Sequence, residues 1–220
     1  MFVGHYSAAL AVKAVKPEIP LWHLFIAVQF VDYLWAIFLL MGIEHVQISD
    51  GFMAASNLDL YHMPYTHSLL ATVFWGILAF LAYGVVAHGS RAAAVFIAVA
   101  VMSHWLLDLL VHTQDLELYP GGDKYGFGLW NSFVGSQVLE LGLLFAGTVA
   151  YAVRTRSHTR MSRFGPWLLF VVLVLVQVVN LLPQEKMPTF QELSINALVV
   201  FSVLALFAWW IERLPSTKMA

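Results

Sequence analysis

The chain has no cysteine, which excludes disulfides, thiolate metal ligands, iron–sulfur clusters and a cysteine nucleophile. It is also short of charge: 11% of its 220 residues are Asp, Glu, Lys or Arg, against roughly a quarter in an ordinary soluble domain. With a formal net charge of −2 there is no basic footprint for nucleic acid, so no nucleic-acid partner is expected. Neither a Gly-x-Ser-x-Gly elbow, nor a Walker loop, nor His-Glu-x-x-His is present, so serine-hydrolase, P-loop and zincin readings have no support. What remains is grease. Apolar residues make up 60% of the sequence and aromatic residues 15%, and the mean hydropathy is +0.78. That composition rules out a water-exposed globule and a disordered chain, and predicts an all-α, polytopic membrane protein.

A bilayer core of about 30 Å takes about 20 apolar residues per helix. Six stretches meet that length: Leu21–Ile43, Thr66–Ala87, Ala92–Val111, Ser132–Val153, Pro166–Leu182 and Leu193–Ile211. Nine of the eleven basic residues (Lys13, Lys16, Arg91, Arg154, Arg156, Arg160, Arg163, Arg213 and Lys218) then fall on one side, leaving Lys124 and Lys186 on the other. By the positive-inside rule both termini are expected to be cytoplasmic, in a bacterial inner membrane. The segment before Pro17 and Pro20 is apolar but too short to span, and its lysines stand at its end, unlike a cleavable signal peptide. It is expected to dip halfway into the bilayer with its tip near His5, the alternative being an amphipathic helix lying on the surface. The chain reads as a single membrane domain, 1–220. Residues 1–131 carry the motifs, and residues 132–220 read as supporting helices or a docking element for a membrane-protein partner. Gln177, Asn180 and Asn196 read as polar glue between the last helices. The longest connections, 44–65 and 112–131, fall on the outer side, where a site or lid is expected.

Ionisable groups inside a bilayer cost at least about 2.5–3.5 kcal/mol each and call for a reason. Measured along helices at about 1.5 Å per residue from the nearest cytoplasmic anchor, His5, Asp32, His104 and Glu140 lie at about 17–21 Å. Asp108 comes out at about 25 Å, and His67 and His112 at about 30 Å. Separate segments thus bring acid–base or ligand side chains to one depth on one side. His104, Asp108 and His112 follow at i, i+4 and i+8 and form one stripe, from which imidazole and carboxylate can reach one divalent ion. Thr66 is placed to cap the helix that His67 begins. Taken singly, His104 also reads as an interhelical hydrogen-bond partner, and His62 and His112 equally as surface groups. His23, His45, His88 and His158 read as surface groups. Glu140 reads as a proton-path residue, a hydrogen-bonding partner to the site or a helix contact.

The order of an early Gly4-His5, Asp32 late in the next apolar segment, His62-Met63-Pro64-Tyr65-Thr66-His67-Ser68, and Ser103-His104 with Asp108 resembles the bacterial inner-membrane family of membrane-bound metal-dependent hydrolases. The likeness covers the motif-bearing part of the chain, 1–131, and does not extend to the last two spans. The family's His-Arg-Gly-x-Thr-His-Ser has an arginine where this chain has Met63, and its Pro-Asp-x-Asp is Val31-Asp32-Tyr33-Leu34 here. The resemblance implies metal-site roles for His5, Asp32, His62, His67, His104 and Asp108, to which the helical stripe adds His112. The ion expected is zinc, with manganese or iron as alternatives, lowering the pKa of a bound water toward 7. Asp108, Asp32 or Glu140 would act as general base or as hydrogen-bonding support. A site at this depth, open to the outer leaflet, suits a lipid or lipid-linked ester or phosphoester, with the Tyr125–Trp130 stretch over its mouth. The competing expectation is a non-enzymatic subunit or a proton or metal-ion transport element built from the same residues.

Overall fold

In a computed structural model, which describes residues 1–86, 90–154, 160–183 and 186–213, the chain is a helical bundle with two small β-hairpins at one end. A short helical turn, Val3–His5, leads into α1 (Tyr6–Val15). It is followed by α2 (Leu21–Val28), α3 (Phe30–Leu40), a hairpin of β1 (His45–Ile48) and β2 (Leu58–His62), α4 (Leu69–Val86) and α5 (Arg91–Val111). The hairpin of β3 (Leu116–Glu117) and β4 (Lys124–Tyr125) comes next, then α6 (Phe133–Arg154), α7 (Arg160–Asn180) and α8 (Phe190–Glu212). Helices α5, α6, α7 and α8 are each long and apolar enough to cross a membrane. The α2–α3 pair passes the same test as one broken span, and α4, at 18 residues, is the shortest unbroken apolar helix among the expected spans. His88, His158, Arg156 and Lys218 lie outside the described residues.

Two expectations change. The stretch Leu21–Ile43 is not one straight span: it bends by 51° at Gln29, between α2 and α3. No proline or glycine marks the bend, and Gln29 itself is fully buried. The Thr66-His67-Ser68 turn precedes α4 rather than opening it, and the cap is Ser68, whose hydroxyl accepts the Ala71 N–H at 3.2 Å.

The N-terminal segment is packed inside the bundle. His5, Tyr6, Ala9 and Leu10 are fully buried, and α1 packs against α6 and α2. Between helices in lipid the attraction comes from close packing and hydrogen bonds, since the tails are as apolar as leucine. Gly147 of α6 shows how close: a Cβ there would stand 2.7 Å from the Ser7 carbonyl oxygen and 3.0 Å from Ser7 Cα. At the other end of α1, Lys13 is buried instead of lying free at the membrane surface. Its ammonium meets Glu212 Oε1 at 2.5 Å and donates to the Pro17 and Ile19 carbonyls, each at 2.7 Å. Glu212 also accepts the Leu21 N–H at 2.5 Å. One ion pair therefore ties the end of α1, the turn into α2 and the end of α8.

The long connections are folded down rather than loose. The Ala55 N–H donates to the Trp130 carbonyl at 2.9 Å, the Leu70 N–H to that of Leu118 at 2.9 Å, and Lys124 Nζ to that of Tyr61 at 2.8 Å. Gly126 is packed so closely on the Thr113 backbone that any side chain would collide with it. The Gly147 contact gives a test. Gly147→Val should destabilise the protein by about 1–3 kcal/mol through overpacking. Gly142→Val, on the same helix with no atom within 4 Å of its would-be Cβ, should leave unfolding in detergent unchanged. Equal stabilities would mean that α1 does not sit on α6 as described.

Candidate metal centre

Asp108 is the hub. Its Oδ1 lies 3.1 Å from His5 Nε2 and 3.6 Å from His112 Nε2, and its Oδ2 lies 3.1 Å from His104 Nε2 and 3.8 Å from His67 Nε2. Asp32 Oδ1 faces the same imidazoles, 3.3 Å from His67 Nε2 and 3.5 Å from His104 Nε2. Two ligand-competent triads result, His5–His104–Asp108 and Asp32–His67–His104, sharing His104. The rings of His5 and His104 stack with centroids 3.8 Å apart. The expected convergence of His5, Asp32, His67, His104 and Asp108 from separate segments is what the structure shows.

Local structure explains each placement. His104 and Asp108 are one turn apart on α5, so both face inward on the same side. Asp32 stands in the first turn of α3, immediately after the bend. His112 is not on the helix: α5 ends at Val111, and His112 caps it in an extended conformation. The expected stripe is therefore a helical pair plus a cap residue, whose ring lies under Trp130 with centroids 4.3 Å apart.

The hydrogen bonds on the far side of the rings fix their tautomers. His104 Nδ1 lies 2.8 Å from the Val28 carbonyl oxygen, which can only accept, so Nδ1 carries the proton. His112 Nδ1 lies 2.9 Å from Asp115 Oδ1 and donates in the same way. Thr66 Oγ1 donates to Glu44 Oε2 at 2.6 Å, which commits its only hydrogen, so it must accept from His67 Nδ1 at 2.7 Å. In the neutral rings of His67, His104 and His112, Nε2 is then a bare lone pair, and all three point at carboxylate oxygens. Lone pair against carboxylate is repulsive unless a cation or a second imidazole proton lies between them. The Nε2 of His104 and both ring nitrogens of His5 are buried without hydrogen-bond partners. Nδ1 held by a carbonyl, hydroxyl or carboxylate, with Nε2 free, is how proteins orient metal-ligating histidines. The donor set fits a divalent ion, and this buried His/Asp group can hold one. The α-amino group of Met1 also reaches Asp108 Oδ1, at 2.5 Å, so the carboxylate already draws a positive charge.

Two predicted site residues are placed elsewhere. His62 pairs with His45 across the first hairpin and stacks on its ring, with centroids 5.4 Å apart; it belongs to neither triad. Glu140 holds the N-terminal segment, its Oε2 accepting the Phe2 N–H at 2.9 Å and the Gly4 N–H at 3.2 Å. It anchors the turn that carries His5 and is a positioning residue. Of the histidines read as surface groups, His23 bonds the Tyr83 hydroxyl at 3.0 Å between α2 and α4.

Sequence reasoning missed Glu44, which is buried and gathers the Tyr65 and Thr66 N–H groups as well as the Thr66 hydroxyl. It also missed Asp115 and the Val28 carbonyl. Glu44 lies far from Thr66 along the chain, in a polar stretch, with only its burial to mark it. The last two helices were missed in another way. A cavity of about 440 Å³ reaches Asp32, His67, Asp108 and His112, and its far wall is made by α7 and α8, including Gln177, Asn180 and Asn196. Those carboxamides face the site's cavity instead of serving only as glue. Trp130, at the end of the expected covering stretch, lines the cavity.

Comparison with models of known families, with characterised proteins and with solved structures finds no match. The geometry therefore carries the argument. Supporting partners of metal-bound histidines are typically worth 10–100-fold in metal affinity. Thr66→Val, which cuts His67 off from Glu44, should weaken zinc binding to the purified protein by about that factor. Thr66→Ser should restore it. Unchanged affinity in Thr66→Val would remove the relay from the site.

Proposed function

We propose that the chain is a membrane-embedded, metal-dependent hydrolase acting on a lipid or lipid-linked ester or phosphoester that enters from the outer leaflet of a bacterial inner membrane. The observation that carries this reading is the set of three imidazoles whose Nδ1 protons are committed and whose Nε2 lone pairs converge on the carboxylates of Asp32 and Asp108. His5, His67, His104, His112, Asp32 and Asp108 are the residues that would hold the ion, zinc being the first choice for imidazole and carboxylate donors. When bound, a divalent ion supplies Lewis acidity, stabilising developing negative charge and making water acidic near neutral pH.

The chain's own groups divide the remaining work. Asp108 and the four imidazoles are buried and committed to one another. Asp32 is the site carboxylate that keeps 17% of its side chain accessible, and it borders the cavity. Its Oδ1 is the oxygen nearest to His67 and His104, which leaves Oδ2 as the other oxygen of the carboxylate. Asp32 Oδ2 is placed to take the proton of the attacking water and to return it to the leaving alcohol, so that one ester bond and one water yield one acid and one alcohol. Trp35, Trp130 and the apolar faces of α7 and α8 exclude bulk water from this exchange. With both termini on the cytoplasmic side, the hairpin end lies outside, and the cavity faces that leaflet.

Purified protein should contain stoichiometric zinc, manganese or iron, lost in the His104→Ala, Asp108→Ala double variant and retained in His62→Ala. Asp32→Asn keeps a neutral oxygen toward the imidazoles but loses the basic one. It should keep its metal and lower kcat on a lipid-ester or phosphoester panel in mixed micelles by about 10²–10⁴-fold. Metal-loaded protein that cleaves nothing on the panel, yet moves metal ions or protons across proteoliposomes, would replace the hydrolase with a transport element.

A further inference from the structure

Outside the buried centre, the first hairpin brings two further histidines together. His45 opens β1, His62 closes β2, and the two are direct partners across the hairpin. Neither lines the cavity or belongs to either triad. The pairing is made by an irregularity. Gln47 faces Asp59 and Ile48 faces Leu58, so an unbroken antiparallel register would set His45 against Tyr61. The register shifts between His45 and Gln47, and one extra residue on β2 brings His62 to that place instead. Bulges of this kind re-aim side chains and recur beside functional sites. Here the bulge exchanges a tyrosine for a second imidazole.

The geometry suits chelation. The ring centroids of His45 and His62 lie 5.4 Å apart, with the planes 24° from parallel. Two imidazoles on one tetrahedral ion, with metal–nitrogen bonds of about 2.0–2.1 Å, hold their centroids about 5 Å apart. Small side-chain rotations close the difference, and both rings have room for them, since His45 is exposed and His62 half-buried. Among the described residues neither ring has a hydrogen bond or an ion pair. Their neighbours are aromatic: Tyr61 stacks on His45 at 6.2 Å and Tyr65 stands edge-on to His62 at 6.5 Å. The carboxylate next to His45 in the chain, Glu44, is spent on Tyr65 and Thr66, which leaves water to fill the other positions of an ion. Two nitrogens and solvent suit neither magnesium nor calcium, which take mostly oxygen ligands. They favour late first-row ions, copper(II) foremost.

We propose that His45 and His62 form a second metal seat, a surface chelate for a late first-row divalent ion, separate from the buried centre. An ion held there ties β1 to β2 beside Glu44 and just ahead of the turn that carries Thr66 and His67. It thereby braces the hydrogen bonds through which Glu44 and Thr66 orient His67. The seat does not rest on the hydrolase reading, since neither imidazole is among the residues that would hold the catalytic ion.

Copper(II) titration of the purified, untagged full chain, first saturated with zinc, tests this by calorimetry and electron paramagnetic resonance. The wild-type chain should bind one copper ion beyond the zinc, with two nitrogen ligands in its spectrum. His45→Ala and His62→Ala should each weaken that binding by about 10²-fold, the gain that joining two weak ligands brings. Tyr61→Phe should leave it unchanged, and zinc should stay at its wild-type level in all three variants. Should His62→Ala disturb the hairpin, His45→Ala, at an exposed position, carries the comparison alone. Copper binding untouched by His45→Ala, a spectrum with one nitrogen ligand, or loss of the zinc together with the copper overturns the proposal. Failure of the buried centre to hold zinc, with copper still bound through His45 and His62, removes the metal-dependent hydrolase and leaves this seat standing.

Discussion

A carboxylate that is almost fully buried in the last turn of α5, facing four imidazoles, is the constraint around which the rest of this protein is arranged. Ionised and unpaired, Asp108 would be among the most expensive groups a membrane fold can hold. Its partners come from the N-terminal turn, the segment before α4, the same face of α5 and the cap of α5. Every one of those elements is held by contacts that serve the site more than the bundle. Glu140 fastens the turn bearing His5, Glu44 fastens the turn bearing His67, and Asp115 turns His112 inward as the helix ends. The short α1 makes sense in the same terms. A segment too short to span sits inside the bundle and delivers His5 to Asp108, and the close approach of Ser7 to Gly147 is what lets it sit deep enough.

Much of this was legible in the order of residues, and the reasons are physical. A charge in an apolar run is conspicuous because lipid makes it costly, so Asp32, His104 and Asp108 announced themselves, and counting residues from the basic anchors put them at one depth. Helical spacing did the same for the His104–Asp108 pair. Most of what stayed hidden depends on groups whose neighbours lie far along the chain. Glu44 sits in a polar stretch where carboxylates are unremarked, and only folding of the Tyr65–Thr66 backbone onto it makes it matter. His62 carried the motif's spacing but fell in a strand, where alternation sends it toward His45 rather than inward. Glu140 matched the depth of the others, yet it met two backbone amides before it could meet an imidazole. The carboxamides of α7 and α8 carry no motif, and polar glue and cavity lining look the same until the helices are seen apart.

The bend at Gln29 and the tautomer of His104 are two ends of one bond. In a straight helix the Val28 carbonyl would accept from the amide four residues on, and His104 Nδ1, deep in the bundle, would face a wall of satisfied backbone. Breaking the helix there, by 51°, frees that carbonyl to take the Nδ1 proton at 2.8 Å and starts α3 in time to aim Asp32 at the other nitrogen of the same ring. Irregular backbone at this depth survives only where protein or a polar cavity surrounds it, and both are present: α5 covers the bend on one side and the cavity borders Asp32 on the other. The interruption in the span is thus tied to the chemistry of the site. A continuous α2–α3 helix would release His104 from its carbonyl, leave its Nε2 lone pair without a fixed direction, and turn the Asp32 carboxylate away from the triad it completes.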